Sequence, residues 1–141
     1  MYKGSSIFWY NAPFTKLIKS GVTQQFTLQT QSDADFECQY LMSNIATGIT
    51  DLGGFTPYFD VLEGNHYTAV LLQIVDQNTG EQWFNVPTSV AAVCGNAQSP
   101  MVLPQTKLIA RSTSLLISLT NNFSIDFEIA NITFFGRKLY R

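Results

Sequence analysis

Apolar and polar residues alternate along most of this chain, and that alternation is its clearest signal. Successive side chains of a strand point to opposite faces, so an in/out alternation marks a half-buried strand. Val22, Phe26 and Leu28 fall on one parity, and Thr23, Gln25, Thr27 and Gln29 on the other. This predicts a strand over 22–30 with a Thr/Gln outer face. Gln31-Ser32-Asp33-Ala34 reads as a turn. Asp35 to Met42 reads as the next strand, with Phe36, Cys38, Tyr40 and Met42 on one face and Glu37, Gln39 and Leu41 on the other. Thr68 to Val75 is apolar on both parities, as expected of a central or doubly covered strand. Asp76 to Glu81 closes a hairpin, with Gly80 in the left-handed position. Gln82 to Val86 is its expected return strand, carrying Trp83 and Phe84 and ended by Pro87. Ser89 to Gly95 is the one predicted helix, capped by Ser89 and stopped by Gly95.

The stretch 94–121 organises the rest. It opens as a Gly/Asn/Ser/Pro loop and runs extended past Pro100 and Pro104. Proline brings no N–H to a ladder, so this passage suits an edge or a crossing connection. It ends in Ser114 to Thr120, where Leu115, Ile117 and Leu119 alternate with polar neighbours. A loop, an edge passage and then a core strand is how a β-sandwich chain crosses between sheets. Asn121-Asn122 is a turn. A last strand covers 125–135, where Ile125, Phe127 and Ile129 change phase with Ile132 and Phe134. A β-bulge at Ala130-Asn131 would produce that slip. The tail from Gly136 to Arg141 reads as a basic edge extension. The sum is seven or eight strands at sandwich spacing, without βαβ units or repeats. The expected fold is a single antiparallel β-sandwich, all-β and jelly-roll-like.

Two segments break the pattern. Residues 1–19 crowd Tyr2, Phe8, Trp9, Tyr10 and Phe14 around Asn11-Ala12-Pro13. They read as an extended aromatic arm ahead of a sandwich domain at 20–141. Five aromatics are costly to leave in water, so the arm packs on its own domain or on a neighbour. Residues 43–66 read as a long loop holding Gly48, Gly53, Gly54, Gly64 and Pro57. Loops of this length are usually functional or contact-making, and Phe55, Tyr58 and Phe59 are its candidate contacts.

Composition narrows the function. The chain has 141 residues and 45% apolar content, enough for one domain with its own core. Charged residues are 13%, about half the usual ~25%. A surface of Ser, Thr, Asn and Gln repels its neighbours weakly, which leans toward an assembled protein. The basic residues Lys3, Lys16, Lys19, Lys107, Arg111, Arg137, Lys138 and Arg141 lie at the two ends, and all ten acids except Asp126 and Glu128 lie between. That polarity fits head-to-tail contact between copies or a solvated basic patch. A net charge of −2 argues against direct nucleic-acid binding. No apolar run is long enough to span a membrane, and the N-terminus lacks a signal-peptide pattern. Cys38 and Cys94 have no metal-ligand spacing and read as buried free thiols of a cytosolic product.

Candidate chemistry is sparse. His66 is the lone histidine, which weakens every nucleophile–base arrangement. Asp33, Asp35 and Glu37 alternate and offer oxygens to calcium, but that ion needs six or more ligands and a wrapping loop. They read better as a solvated turn. Asp51, Asp60 and Glu63 resemble a glycosidase pair only in residue type, being all in one loop. Phosphate-loop, GxSxG and CxxC motifs are missing. Trp9, Trp83 and the loop tyrosines suit sugar stacking or core packing. No catalytic residue, metal or cofactor is expected.

Five passages carry a resemblance. They are Ser32-Asp33-Ala34-Asp35-Phe36-Glu37, Asp76 to Gln82 (DQNTGEQ), Gly95 to Pro104, Ser114 to Asn121, and Phe135 to Tyr140. In this order the chain resembles small β-sandwich virion proteins of tailed bacteriophages over residues 22–42 and 68–140. It departs at 43–66 and in its arm. The resemblance implies a non-enzymatic structural role: capsid decoration or cement, head fibre, or neck/tail accessory. The implied location is the virion, assembled in the host cytoplasm. The implied partners are the major capsid protein or neck/tail proteins, and other copies of the chain in a homo-oligomer. The expected contacts are Tyr2, Phe8, Trp9, Tyr10 and Phe14 of the arm and Phe55, Tyr58 and Phe59 of the loop. A glycan-binding module for host attachment is the alternative.

Overall fold

The computed structural model describes residues 1–14, 18–47, 70–95, 100–122 and 126–141. Among these, eight strands are formed: β1 (Gly4–Phe14), β2 (Thr23–Gln29), β3 (Asp35–Thr47), β4 (Val70–Asp76), β5 (Thr88–Ser89), β6 (Met101–Ile109), β7 (Ser114–Asn121) and β8 (Phe127–Tyr140). A four-residue helix, α1 (Val90–Val93), follows β5. The first sheet has the order β1-β8-β3-β6 and the second β2-β7-β4-β5. Every neighbouring pair is antiparallel. The pairs β1·β8, β2·β7, β3·β6 and β4·β5 nest inside one another. That is a long hairpin rolled into two facing sheets, the jelly roll.

The core lies between the sheets and is fed by the alternation. β7 alternates half-buried and buried throughout, with Leu115, Ile117 and Leu119 at 0% exposure. β4 does likewise with Val70, Leu72 and Ile74. From the first sheet, Tyr10, Ala12, Phe14, Phe36, Leu41, Ile132 and Phe134 meet them. Burying each large side chain contributes roughly 1.5–3 kcal/mol. Phe36 and Phe134 each add an edge-on contact, to Tyr10 at 5.0 Å and to Trp83 at 5.7 Å.

The 94–121 stretch crosses as the prolines require. β6 is an edge of the first sheet and β7 is interior to the second. Lys107 of β6 pairs with Cys38 and Val102 with Tyr40, so residues 103–106 arch away opposite Gln39 alone. Pro104 sits on that arch. The arch, Pro104 and Lys107 all discourage a foreign strand from pairing there.

Several expectations are corrected. Residues 4–14, expected as an arm ahead of the domain, take the first of its two expected places and pack on their own domain, as an edge strand of the first sheet paired with β8 from Ala130 to Tyr140. Pairing with β8 turns Tyr10, Ala12 and Phe14 toward the core. The tail is not an edge extension, because β8 runs to Tyr140 between β1 and β3. Residues 82–86 are bends, with one bridge at Val75–Gln82. The Gln73 side chain donates to the Phe84 carbonyl at 2.8 Å and accepts from its N–H at 3.3 Å, taking the place of a ladder. The strand that does pair with β4 there is Thr88–Ser89. The helix is shorter than 89–95 and Ser89 makes no side-chain cap. The slip in β8 falls not at Ala130-Asn131 but at Glu128, since Ala46 pairs with Ile129 and Thr47 with Phe127. The hairpin loop at 76–81 forms as read, with Gly80 at φ 77° and its N–H on the Asp76 carbonyl.

The most consequential correction is in β3. Cys38 pairs with Gly136 but Tyr40 pairs with Phe135, so Gln39 is bulged. Beyond it the parity inverts. Leu41 and Ile45 turn inward at 0% and 2% exposure, and Tyr40 and Met42 turn outward.

Candidate interaction face

The bulge builds a continuous row on the outer face of the first sheet. Residues directly opposite in adjacent strands share a face. Trp9 of β1 lies opposite Phe135 of β8, Phe135 opposite Tyr40 of β3, and Tyr40 opposite Val102 of β6. This apolar row crosses all four strands. Trp9 stacks on Phe135 with ring centres 5.7 Å apart and planes at 20°, and Tyr40 leans on Phe135 at 5.5 Å. Next to it runs Ile7, Arg137, Glu37 and Leu108, in register. On its other side run Asn11, Thr133 and Met42, and then Pro13, Asn131 and Asn44. Trp9 is 57% exposed, Ile7 71%, Val102 61% and Leu108 58%. A depression of about 340 Å3 is lined by Tyr40, Met42, Pro100 and Phe135.

The outer face of the second sheet is different. Thr23 and Thr120 share a 2.7 Å hydrogen bond, Gln25 donates to Ser118 at 3.3 Å, and Ser114 bonds Gln29. Its Thr, Gln and Ser side chains bond one another, and its apolar members Leu71, Val75 and Leu116 are half-buried. An apolar centre with an amide and ion-pair rim is the anatomy of a protein interface, and large exposed apolar patches mark such sites.

Of the arm aromatics, only Trp9 is presented on this face. Tyr10 and Phe14 are core residues at 7% and 6% exposure, so their expected partner contact is replaced by contact within the chain. Phe8 is half-buried, edge-on to Tyr10 and beneath the Lys138 ammonium at 4.2 Å. Tyr2 donates its hydroxyl to Asp35 at 2.8 Å. Phe55, Tyr58 and Phe59 lie outside the described residues, as do His66, Asp51, Asp60 and Glu63. Reading the sequence missed Ile7, Tyr40, Val102, Leu108 and Phe135. A signal existed in Ile7-Phe8-Trp9-Tyr10 and Phe134-Phe135, which are apolar on both parities.

The acidic middle and basic ends meet inside the molecule. Lys138, 4% exposed, binds both oxygens of Asp33 at 3.0 and 3.1 Å, and also Gln31. Arg137 Nε donates to Glu37 at 2.8 Å, and this bond holds the Glu37 carboxyl below its ordinary pKa. Asp35 is 2% exposed and accepts from Tyr2, the Arg111 N–H, Arg111 Nε and Arg141 Nη2. Burial pushes its pKa up, but these donors outweigh burial and bring it to about 2. The three alternating carboxylates therefore each have a different cationic partner. Among the described residues no group of three or more His, Cys, Asp or Glu is placed to hold a metal.

A second concavity, about 500 Å3, opens under the β6 arch between Trp83, Phe84, Val93, Leu103 and Lys107. Lys107 lies over the Trp83 ring at 5.6 Å and pairs with Glu81. Cys38 and Cys94 are buried free thiols, and burial pushes both up to about 12. Thiolate is the reactive form. Both are therefore expected to resist a thiol-specific disulfide reagent at pH 8 in the native protein and to react promptly in denaturant. Stoichiometric labelling without unfolding would contradict this.

Comparison of the chain with protein-family models, curated proteins and solved structures finds no match. The class is thus set by architecture: an all-β jelly-roll sandwich whose first sheet presents an exposed apolar row.

Proposed function

We propose that this chain is a structural subunit of a tailed-phage particle, a capsid decoration or cement protein that works by adhesion rather than catalysis. The observation that carries the adhesive part is the Trp9–Phe135–Tyr40–Val102 row across the first sheet. The phage part rests on the resemblance over 22–42 and 68–140. Jelly rolls recur in viral capsids, which supports the reading by analogy of fold only. At ~25 cal/mol per Å2, a few hundred Å2 of apolar face per copy becomes firm attachment when repeated over a symmetric shell. A neck or tail position would use the same face. A glycan platform fits it less well, because stacking on each other already takes one ring face of both Trp9 and Phe135.

The test is cosedimentation of purified chain with isolated phage heads and tails. Trp9→Ser with Val102→Ser is expected to abolish pelleting while leaving the melting temperature within a few degrees, since both side chains are more than half exposed. Pelleting unchanged by the pair would reject this face. Binding to tails alone would move the protein off the capsid.

A further inference from the structure

We infer that the outer face of the first sheet pairs with the same face of a second copy, about a two-fold axis lying in the interface, parallel to the strands and midway between β8 and β3. The inference rests on the adhesive reading and names a second copy as the occupant of the face: copies pair through it, and the pair attaches to the particle by its remaining surface with the avidity of two linked sites. A two-fold interface demands that a single surface be complementary to itself, and this face is.

The four strands lie in the order β1-β8-β3-β6. A half-turn about the stated axis sets β1 over β6 of the second copy and β8 over β3, without reversing the rows. Bulky Trp9 then faces small Val102, and Phe135 faces Tyr40. Ile7 faces Leu108, and Asn131 faces Asn44. Arg137 faces Glu37 and Glu37 faces Arg137, so each intrachain ion pair at 2.8 Å becomes half of a four-charge cluster. In three of the four rows apolar meets apolar, amide meets amide or cation meets anion, and in the remaining row Thr133 faces Met42, all in the observed registers. The other two-fold in the plane, running across the strands through the Trp9 row, fails the same check. It would set Ile7 over Asn11 and Glu37 over Met42. Sheets packed face to face keep their strands within about 30° of each other, which the first axis permits.

The size of the face sets the strength. Four strands at ~4.8 Å and four rows of side chains span roughly 19 by 25 Å, or about 450 Å2 in projection per copy. The two copies together would bury roughly 900 Å2 in projection, below the ~1,200 Å2 at which standard specific interfaces begin and in the range of weak, transient pairs. A weak pair is expected, with a dissociation constant on the order of micromolar or above.

Charge reversal tests the axis. Arg137→Glu puts like charges across the two-fold, and so does Glu37→Arg; each is expected to weaken self-association at least ~10-fold. Mixed in equal amounts, the two variants set an acid opposite a base at both charged positions of the interface, so their hetero-pair should regain parent-like affinity. A variant that had merely misfolded would not be rescued by mixing, and far-UV circular dichroism checks each fold. The readout is sedimentation velocity across the micromolar range. A parent that stays monomeric, or a mixture no tighter than either variant alone, overturns the inference. A monomer that still pellets with phage heads would overturn the pairing and leave the adhesive reading standing. A dimer that pellets with no phage part would uphold the pairing and overturn the virion reading.

Discussion

Gly136→Ala is expected to cost about 3 kcal/mol or more, a large share of the ~5–15 kcal/mol that holds a domain together. A Cβ built on Gly136 would stand 1.8 Å from the Glu37 carbonyl oxygen, 2.9 Å from its carbonyl carbon and 3.1 Å from the Cys38 Cα. All three are backbone atoms, so no side chain can swing aside. Gly136 pairs with Cys38, next to the bulged Gln39, where β3 bends down onto β8. A methyl group there must separate two central strands. The bulge also turns Tyr40 outward and Leu41 inward, so the same change should disturb the aromatic row. Urea melts of the variant and its parent measure the loss. Gly4→Ala is the control, because its Cβ would meet nothing within 4 Å. Equal midpoints for Gly136→Ala and parent would refute the close approach.

Asp35→Asn is expected to destabilise by roughly 3 kcal/mol at pH 7, the usual cost of breaking a buried ion pair from one side. Arg111 would suffer most. Its Nη2 is already buried without a hydrogen-bond acceptor among the described residues. The pH dependence has a definite sign. The Asp35 carboxyl lies at about 2 in the fold against an ordinary 3.8, so folding favours the ionised form. Its contribution is complete above pH ~4 to 5 and disappears as pH falls through 2, about 2 kcal/mol in all. The stability gap between parent and Asp35→Asn should therefore narrow by about that much between pH 7 and pH 2. Denaturant melts at both values measure it. A gap that stays constant would mean the Asp35 charge does not stabilise the fold.

Ion pairing of this kind was only half legible beforehand. The sequence displays basic ends and an acidic middle, which suits contact between copies as well as contact within one. Closure of the jelly roll decides it, because β8 returns beside β3 and brings Arg137 and Lys138 to Glu37 and Asp33. The site shows the same division. Trp9 could be named as exposed aromatic surface, but Tyr10 and Phe14 could not be told apart from it by composition. Only the pairing of β1 with β8 sorts them, since it fixes which parity faces the core.

By itself, the sequence determined the elements whose signal is local. Those are the period-two strands at β2 and β7, the central strand β4 read from a run apolar on both parities, the Gly80 hairpin, and the proline-bearing edge passage that crosses between sheets. Each is written in side-chain parity or backbone conformational preference within a few residues. The tertiary structure alone decided the β3 bulge, the nesting of β1 against β8, and the apolar row on the outer face. A bulge is invisible to local periodicity when, as at Tyr40 to Met42, both parities are apolar. Its position depends on Gly136, about a hundred residues away, allowing the two strands to touch.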